Sequence, residues 1–244
     1  MVDLNESLGT TKSEARDIND AGQVVGWMGL ASYQDGEAFV WQDGKVTALG
    51  NLPNGSFSVG LGVNELGQVA GYALIGEFPN TIGRPFLWDQ GEMIDLGILP
   101  GFERSAAADI NEMGQIVGSA SGVGGNPNIE SAFIWQHGMM HDLNHLIASD
   151  TGIEILGTTA INNHGQITGA AHNADGDRVG VLLTPIDVPL GDLDCDCAVG
   201  FDDFERLLAA WGPCPGRSVC RGDLDGDGAV GVVDFLLLLA NWTG

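Results

Sequence analysis

The chain has 244 residues with 44% hydrophobic content, enough for one sizeable globular domain and a small second one. Its 33 acidic residues against nine basic ones give a formal net charge of −24. Only ten of those acidic and three of those basic residues fall in 192–244, so the remainder is acidic in its own right, which excludes nucleic-acid phosphates and anionic lipid as partners.

Taken in chain order, the first 185 residues repeat one pattern four times. The run INDAGQVVG at 18–26 returns as VNELGQVAG at 63–71, INEMGQIVG at 110–118 and INNHGQITG at 161–169, in steps of 45, 47 and 51 residues. A second anchor reads AFVW at 38–41, PFLW at 85–88 and AFIW at 132–135, and weakens to GVLL at 180–183. A third is the Asp-Leu step at Asp95-Leu96 and Asp142-Leu143, relaxed to Ala48-Leu49. Short β-branched and apolar runs parted by Asn-x-x-Gly and Asp-Gly turns predict strands. In the first period these end at Asn19 and span 23–27, 38–41 and 46–49.

Four strands in about 45 residues is the arithmetic of a propeller blade. The chain is expected to be mainly β, a β-propeller-like array of four four-stranded blades, followed by a small α-helical calcium-binding domain. Ala15, Gly60, Ala107 and Thr158 are small residues four places before each repeated Asn, as a crowded innermost strand requires. Phe39, Trp41 and their equivalents are expected to fill the space between blades. The fourth repeat runs out after its third strand near Thr184, so Val2-Asp3-Leu4-Asn5 is expected to complete it and close the ring, unless further repeats precede the chain.

After a linker at 186–190, a second duplication begins. DLDCDCAVGFDD at 192–203 recurs 31 positions later as DLDGDGAVGVVD at 223–234. Carboxylates occupy the first, third, fifth and twelfth places, and the seventh-place carbonyl completes the oxygen set that a hard cation needs. The ligand candidates are therefore Asp192, Asp194, Asp196, Ala198 and Asp203, then Asp223, Asp225, Asp227, Ala229 and Asp234, for about two Ca2+ ions. Cys197 stands at the sixth-place turn glycine of the first loop, which weakens that site. Phe204, Leu207, Leu208 and Trp211 recur as Phe235, Leu238, Leu239 and Trp242, so each loop opens a short helix. Leu207, Leu208 and Trp211 are expected to pack against Leu238, Leu239 and Trp242. The helix that precedes each loop in a full EF-hand is missing.

All four cysteines lie in this tail. A straight helix over 204–211 separates Cys195 and Cys197 from Cys214 and Cys220 by roughly 10 Å or more, which favours a Cys214–Cys220 bridge. Cys195 and Cys197 then form a strained local bridge or stay free, and three connectivities remain. Zinc has no CxxC pair or nearby His to hold it. Disulfides fit an oxidising, extracellular setting. With no signal peptide ahead of Val2, the N-terminus is expected to be incomplete, and no apolar run reaches membrane-spanning length.

The tail, 191–244, resembles a type I dockerin, which implies docking onto a cohesin or similar surface protein. It departs from the cellulosomal pattern at Phe201-Asp202 and Val232-Val233, where a small hydroxyl pair helps select the cohesin. The runs EAFVWQDGKVTALGNLP, SAAADINEMGQIVGSA and SAFIWQHGMMHDLN resemble the HAF repeats of bacterial extracellular repeat proteins. That resemblance implies an extracellular β-rich repeat and no defined reaction.

Catalysis needs a cluster that breaks the internal symmetry, whereas Asn19, Asn64, Asn111 and Asn162, with Gln23, Gln68, Gln115 and Gln166, obey it and read as turn and within-blade bonding residues. His137, His141 and His145 with Asp142 form the best asymmetric group and read as exposed hairpin histidines. No catalytic and no organic cofactor-binding residue is assigned. The expected function is a secreted, non-catalytic interaction or structural module tethered by its tail; the alternatives are a dockerin-bearing polysaccharide-degrading enzyme and a glycan-binding lectin propeller acting on extracellular polysaccharide.

Overall fold

The computed structural model describes Leu4 and residues 9–29, 36–77, 80–147, 152–185, 189–193, 198–214, 222–225 and 228–243. These fall into two compact units, Met1–Gln136 with Met140–Thr184, and His137–Met139 with Pro185–Gly244.

Among the described residues the first unit has fifteen strands. β1 (Lys12–Ile18), β2 (Val24–Gly29), β3 (Gly36–Gln42) and β4 (Lys45–Gly50) form one antiparallel meander. β5 (Gly55–Val63), β6 (Val69–Ile75), β7 (Ile82–Asp89) and β8 (Glu92–Asp95) form the next, and β9 (Arg104–Ile110), β10 (Ile116–Val123), β11 (Asn126–Gln136) and β12 (Met139–Asp142) a third. The fourth has three strands, β13 (Glu154–Ile161), β14 (Ile167–His172) and β15 (Arg178–Leu183). A fourth strand is expected there from Val2-Asp3-Leu4-Asn5. Of the N-terminal residues expected to supply that strand only Leu4 is described, and it is helical. Leu4 corresponds to Leu143 in the repeat, where a single 3-10 turn (Leu143–His145) follows β12 and Asp142 accepts from the Asn144 N–H at 2.9 Å. The Asp-Leu step thus ends a strand and begins a turn, so the first unit is not wholly without helix.

The hairpins between third and fourth strands turn on Asp43, Gln90 and His137, at φ of 51°, 49° and 50°, each followed by a glycine also at positive φ. Two positive φ values in a two-residue loop match the right-handed twist of the strands it joins.

Every first strand carries an extra residue against its partner at one recurring place, and β5 and β13 carry a second, between Gly55 and Phe57 and between Ile155 and Gly157. At the recurring place the register slips between Ala15 and Asp17, Gly60 and Gly62, Ala107 and Asp109, and Thr158 and Ala160. Opposite each bulge lies the glycine that closes the repeated anchor, paired as Ala15 with Gly26 and Gly60 with Gly71. A Cβ at Gly71 would strike the Val59 carbonyl, and one at Gly118 the Ala106 carbonyl. The bulge, more than a crowded channel, explains both the invariant glycine and the small residue facing it.

Three apolar layers join successive sheets. Val25, Ala38, Leu49 and Leu52 meet Val63, Val69, Ala73 and Phe86. Ala70, Leu87 and Leu99 meet Ala107, Ile110, Ile116 and Phe133, and Val117, Ala132, Ile134 and Leu143 meet Ile155, Ile161 and Ile167. Phe39, Phe86 and Phe133 are fully buried, while Trp41, Trp88 and Trp135 are half-buried. The sheets do not close into a ring. Ile18 is 64% exposed where Val63, Ile110 and Ile161 are at most 7%, and Leu182 is 63% exposed where Leu87 and Ile134 are 7%.

A polar column runs along the same array. Asn19 Nδ2 donates to Gln23 Oε1 at 2.7 Å and also to the Asn64 carbonyl at 2.9 Å in the next sheet. Asn64 reaches the Asn111 carbonyl and Asn111 the Asn162 carbonyl, each at 3.1 Å. The repeated asparagines, read as within-blade residues, therefore also bind each sheet to the next.

The second unit holds two nine-residue helices, α1 (Phe201–Ala209) and α2 (Val232–Ala240), and a short ladder of β16 (Gly212–Pro213) with β17 (Ala229–Val230). Its core is Leu193, Val199, Leu207, Val230 and Leu238, flanked by Phe204 and Phe235 with ring centroids 5.7 Å apart. Leu207 and Leu238 are fully buried as expected, but Leu208, Leu239, Trp211 and Trp242 are 38–48% exposed. Adjacent residues on a helix are 100° apart, so the pair cannot both face inward.

Candidate metal centre

The two tail loops close in the same way. Asp203 and Asp234 are the third residues of α1 and α2, and both are buried. Asp203 Oδ1 accepts from the Leu193 N–H at 2.6 Å and its Oδ2 from Gly200 at 2.7 Å. Asp234 repeats this with Leu224 at 2.6 Å and Gly231 at 2.7 Å, and Oδ1 takes a further bond from Asp225 at 3.2 Å. A carboxylate at a helix N-terminus meets unpaired N–H groups and the positive end of the dipole. Burial alone would raise the Asp234 pKa, but the backbone N–H groups of Gly231, Asp225 and Leu224 outweigh it and hold the group below its ordinary 3.8.

In the second loop, Asp223, Asp225 and Asp234 each bring an oxygen within 4.8 Å of the others. Asp223 Oδ2 accepts from the Gly228 N–H at 2.9 Å, whereas its Oδ1 is buried with no hydrogen-bond partner. Cys214 Sγ lies 3.7 Å from Asp223 Oδ2. Because Cys214 is disulfide-bonded, it has no proton to give, and this is a contact rather than a hydrogen bond. An orphaned buried carboxylate oxygen beside two more carboxylates is unfavourable without a cation. Opposite ligands on an ion with bonds of 2.3–2.6 Å stand about 5 Å apart, so the spacing suits Ca2+. Asp223 Oδ2 and Asp234 Oδ2, with one backbone bond each, keep a lone pair for an ion.

Of the other expected ligands, Asp192 is buried and Ala198 and Ala229 are described. Asp194, Asp196 and Asp227 lie outside the described residues, as do Cys195, Cys197 and Cys220, so the partner of Cys214 does too. Among the described residues no group of three His, Cys, Asp or Glu forms around His137, His141 and His145. Asp142 there accepts from Ser131 Oγ at 2.8 Å as well as from Asn144.

No family model matches the chain, and no curated protein does. Solved structures similar to it include the β-propeller domain of the trilobed protease from Pyrococcus furiosus, at 16% identity and TM-score 0.46, over 70% of this chain and 49% of that one. Another is an acylaminoacyl peptidase from Pyrococcus horikoshii, at 16% identity and TM-score 0.49, over 71% of this chain and 26% of that one. The chain spans half or less of these neighbours. It is mainly β, with β-propeller structural neighbours.

Proposed function

We propose that the chain is a non-catalytic extracellular interaction module, an array of four propeller-like blades of the HAF-repeat kind tethered through a calcium-binding, dockerin-like tail. The tail docks a cohesin-like or cell-surface protein. The observation that carries this reading is the second loop, where three carboxylates converge and Asp223 Oδ1 is buried without a partner. The closure of the first loop by Asp203, through the same two backbone donors, supports a second ion. The repeated polar residues of the blades are spent on turns and blade-to-blade bonds, which supports a binding role over catalysis.

Calorimetric titration of the full chain with Ca2+ tests it. About two ions are expected, with the second loop tighter, and Asp223→Asn is expected to weaken that site at least ten-fold. Absence of calcium heat, together with a melting profile unchanged by chelator, would refute the calcium-bound tail.

A further inference from the structure

Six polar side chains that make no side-chain hydrogen bond or ion pair among the described residues line one cleft of the first unit. The cleft, of about 590 Å³, is lined by residues of β6, β7, β9, β10, β11, β13, β14 and β15, among them Thr81, Arg104, Ser119, Ser121, Glu130 and Arg178. Two other arginines of this unit are engaged: Arg16 pairs with Glu14 at 3.1 Å, and Arg84 forks onto Asp95, the closest bond at 2.7 Å. Arg104 and Arg178 have neither hydrogen bond nor ion pair among the described residues. In a chain with nine cationic side chains against 33 anionic ones, two unpaired guanidiniums share one cleft with a single carboxylate.

We infer that this cleft binds an acidic saccharide, a hydroxylated sugar unit carrying a carboxylate. The guanidinium fork matches a carboxylate bidentately. Two such forks against the single carboxylate of Glu130 leave the cleft lining with an excess of positive charge, which an anion offsets. The remaining polar groups have a different complement. The hydroxyls of Thr81, Ser119 and Ser121 donate and accept, and Glu130 only accepts. Together they suit ring hydroxyls, which also do both. The volume falls in the range of small-molecule sites and exceeds what a simple inorganic anion fills. Uniform repulsion from the acidic surface is screened beyond about 8 Å at physiological salt, so contacts inside the cleft decide binding.

The test is calorimetry on the full chain in chelator-containing buffer, which keeps calcium from bridging probe to protein and so separates this inference from the calcium reading. The probes are trigalacturonate, maltotriose, inorganic phosphate and a triaspartate peptide. Trigalacturonate is expected to bind at least ten-fold more tightly than each of the others. Arg104→Met and Arg178→Met are each expected to weaken it about ten-fold without moving the melting temperature, since both side chains are exposed. Phosphate or peptide binding as tightly as trigalacturonate would overturn the saccharide assignment. Trigalacturonate that fails to bind at millimolar concentration, or that binds both variants unchanged, would overturn the site.

Discussion

At the scale of single residues, the buried amides and carboxylates of the first unit are structural fasteners with unequal loads. Asn64 is 2% exposed. It donates to Gln68 Oε1 and to the Asn111 carbonyl, and its Oδ1 accepts from the Leu66 and Gln68 N–H groups. Truncation strands several buried partners at once, so Asn64→Ala is expected to cost about 3 kcal/mol by denaturant unfolding. Asn162 occupies the same place in the last sheet but is exposed and reaches no further blade, so Asn162→Ala is expected to cost about 1 kcal/mol. Equal losses would mean that the blade-to-blade bond contributes nothing. Asp109 carries a different load. Burial raises its pKa above 3.8, backbone N–H groups of Ile161 and Ile110 lower it less, and the negative charge of Asp17 raises it further. The folded chain therefore holds this proton more tightly than the unfolded one. The associated stability is full below 3.8 and is lost as pH rises through the raised folded value. Wild type is thus expected to lose stability relative to Asp109→Asn between pH 4 and pH 7. Melting curves at micromolar protein, needed because the isoelectric point is near 4.1, check this; a constant difference across the range would contradict it.

At the scale of elements, the tail helices show how much a duplicated sequence reveals. The two loops and their helices were legible because each demands one residue type at each place: a carboxylate at the helix start, glycine before it, apolar residues after. The inward face was not. The repeat aligns Leu236 and Leu237 with Glu205 and Arg206 and so leaves Leu238 and Leu239, but it cannot choose between those two, and only packing beside Leu207 selects Leu238. Leu238→Ala is therefore expected to cost about 3 kcal/mol in the calcium-loaded protein and to weaken calcium binding, because loop geometry and helix packing form together. Leu239→Ala, at 44% exposure, is expected to cost less than about 1 kcal/mol. Melting and calcium titration of both variants decide it, and a reversed order would relocate the core. The strands of the blades were legible for a similar reason: Asn-x-x-Gly and the positive-φ turns at Asp43, Gln90 and His137 recur at fixed places. The bulge and the cross-blade reach of Asn19, Asn64 and Asn111 were not, since both depend on a neighbour some 45 residues away.

At the scale of the whole molecule, like charge accumulates along the array. The Asp20 N–H donates to Glu65 Oε1 at 2.6 Å, the Glu65 N–H to Glu112 Oε1 at 3.0 Å, and the Glu112 N–H to Asn163 Oδ1 at 3.0 Å. Acidic residues are thus stacked from turn to turn, the Glu65 and Glu112 carboxylates each held by the backbone donor of the preceding turn, and no lysine or arginine joins the column in these bonds. Excess negative charge of this size opposes the compact state by self-repulsion, and mobile ions relieve it. The melting temperature of the full chain is accordingly expected to rise by roughly 3–6 °C between 10 mM and 300 mM sodium chloride, a gain of about 1–2 kcal/mol. Glu112→Gln removes one charge from the column while keeping an acceptor for the Glu65 N–H, so its rise is expected to be smaller than that of wild type. The comparison is made in chelator, so that calcium does not mask the effect in the tail. A melting temperature that falls with salt, or a Glu112→Gln rise equal to that of wild type, would show that the stacked carboxylates are already neutralised by their backbone donors.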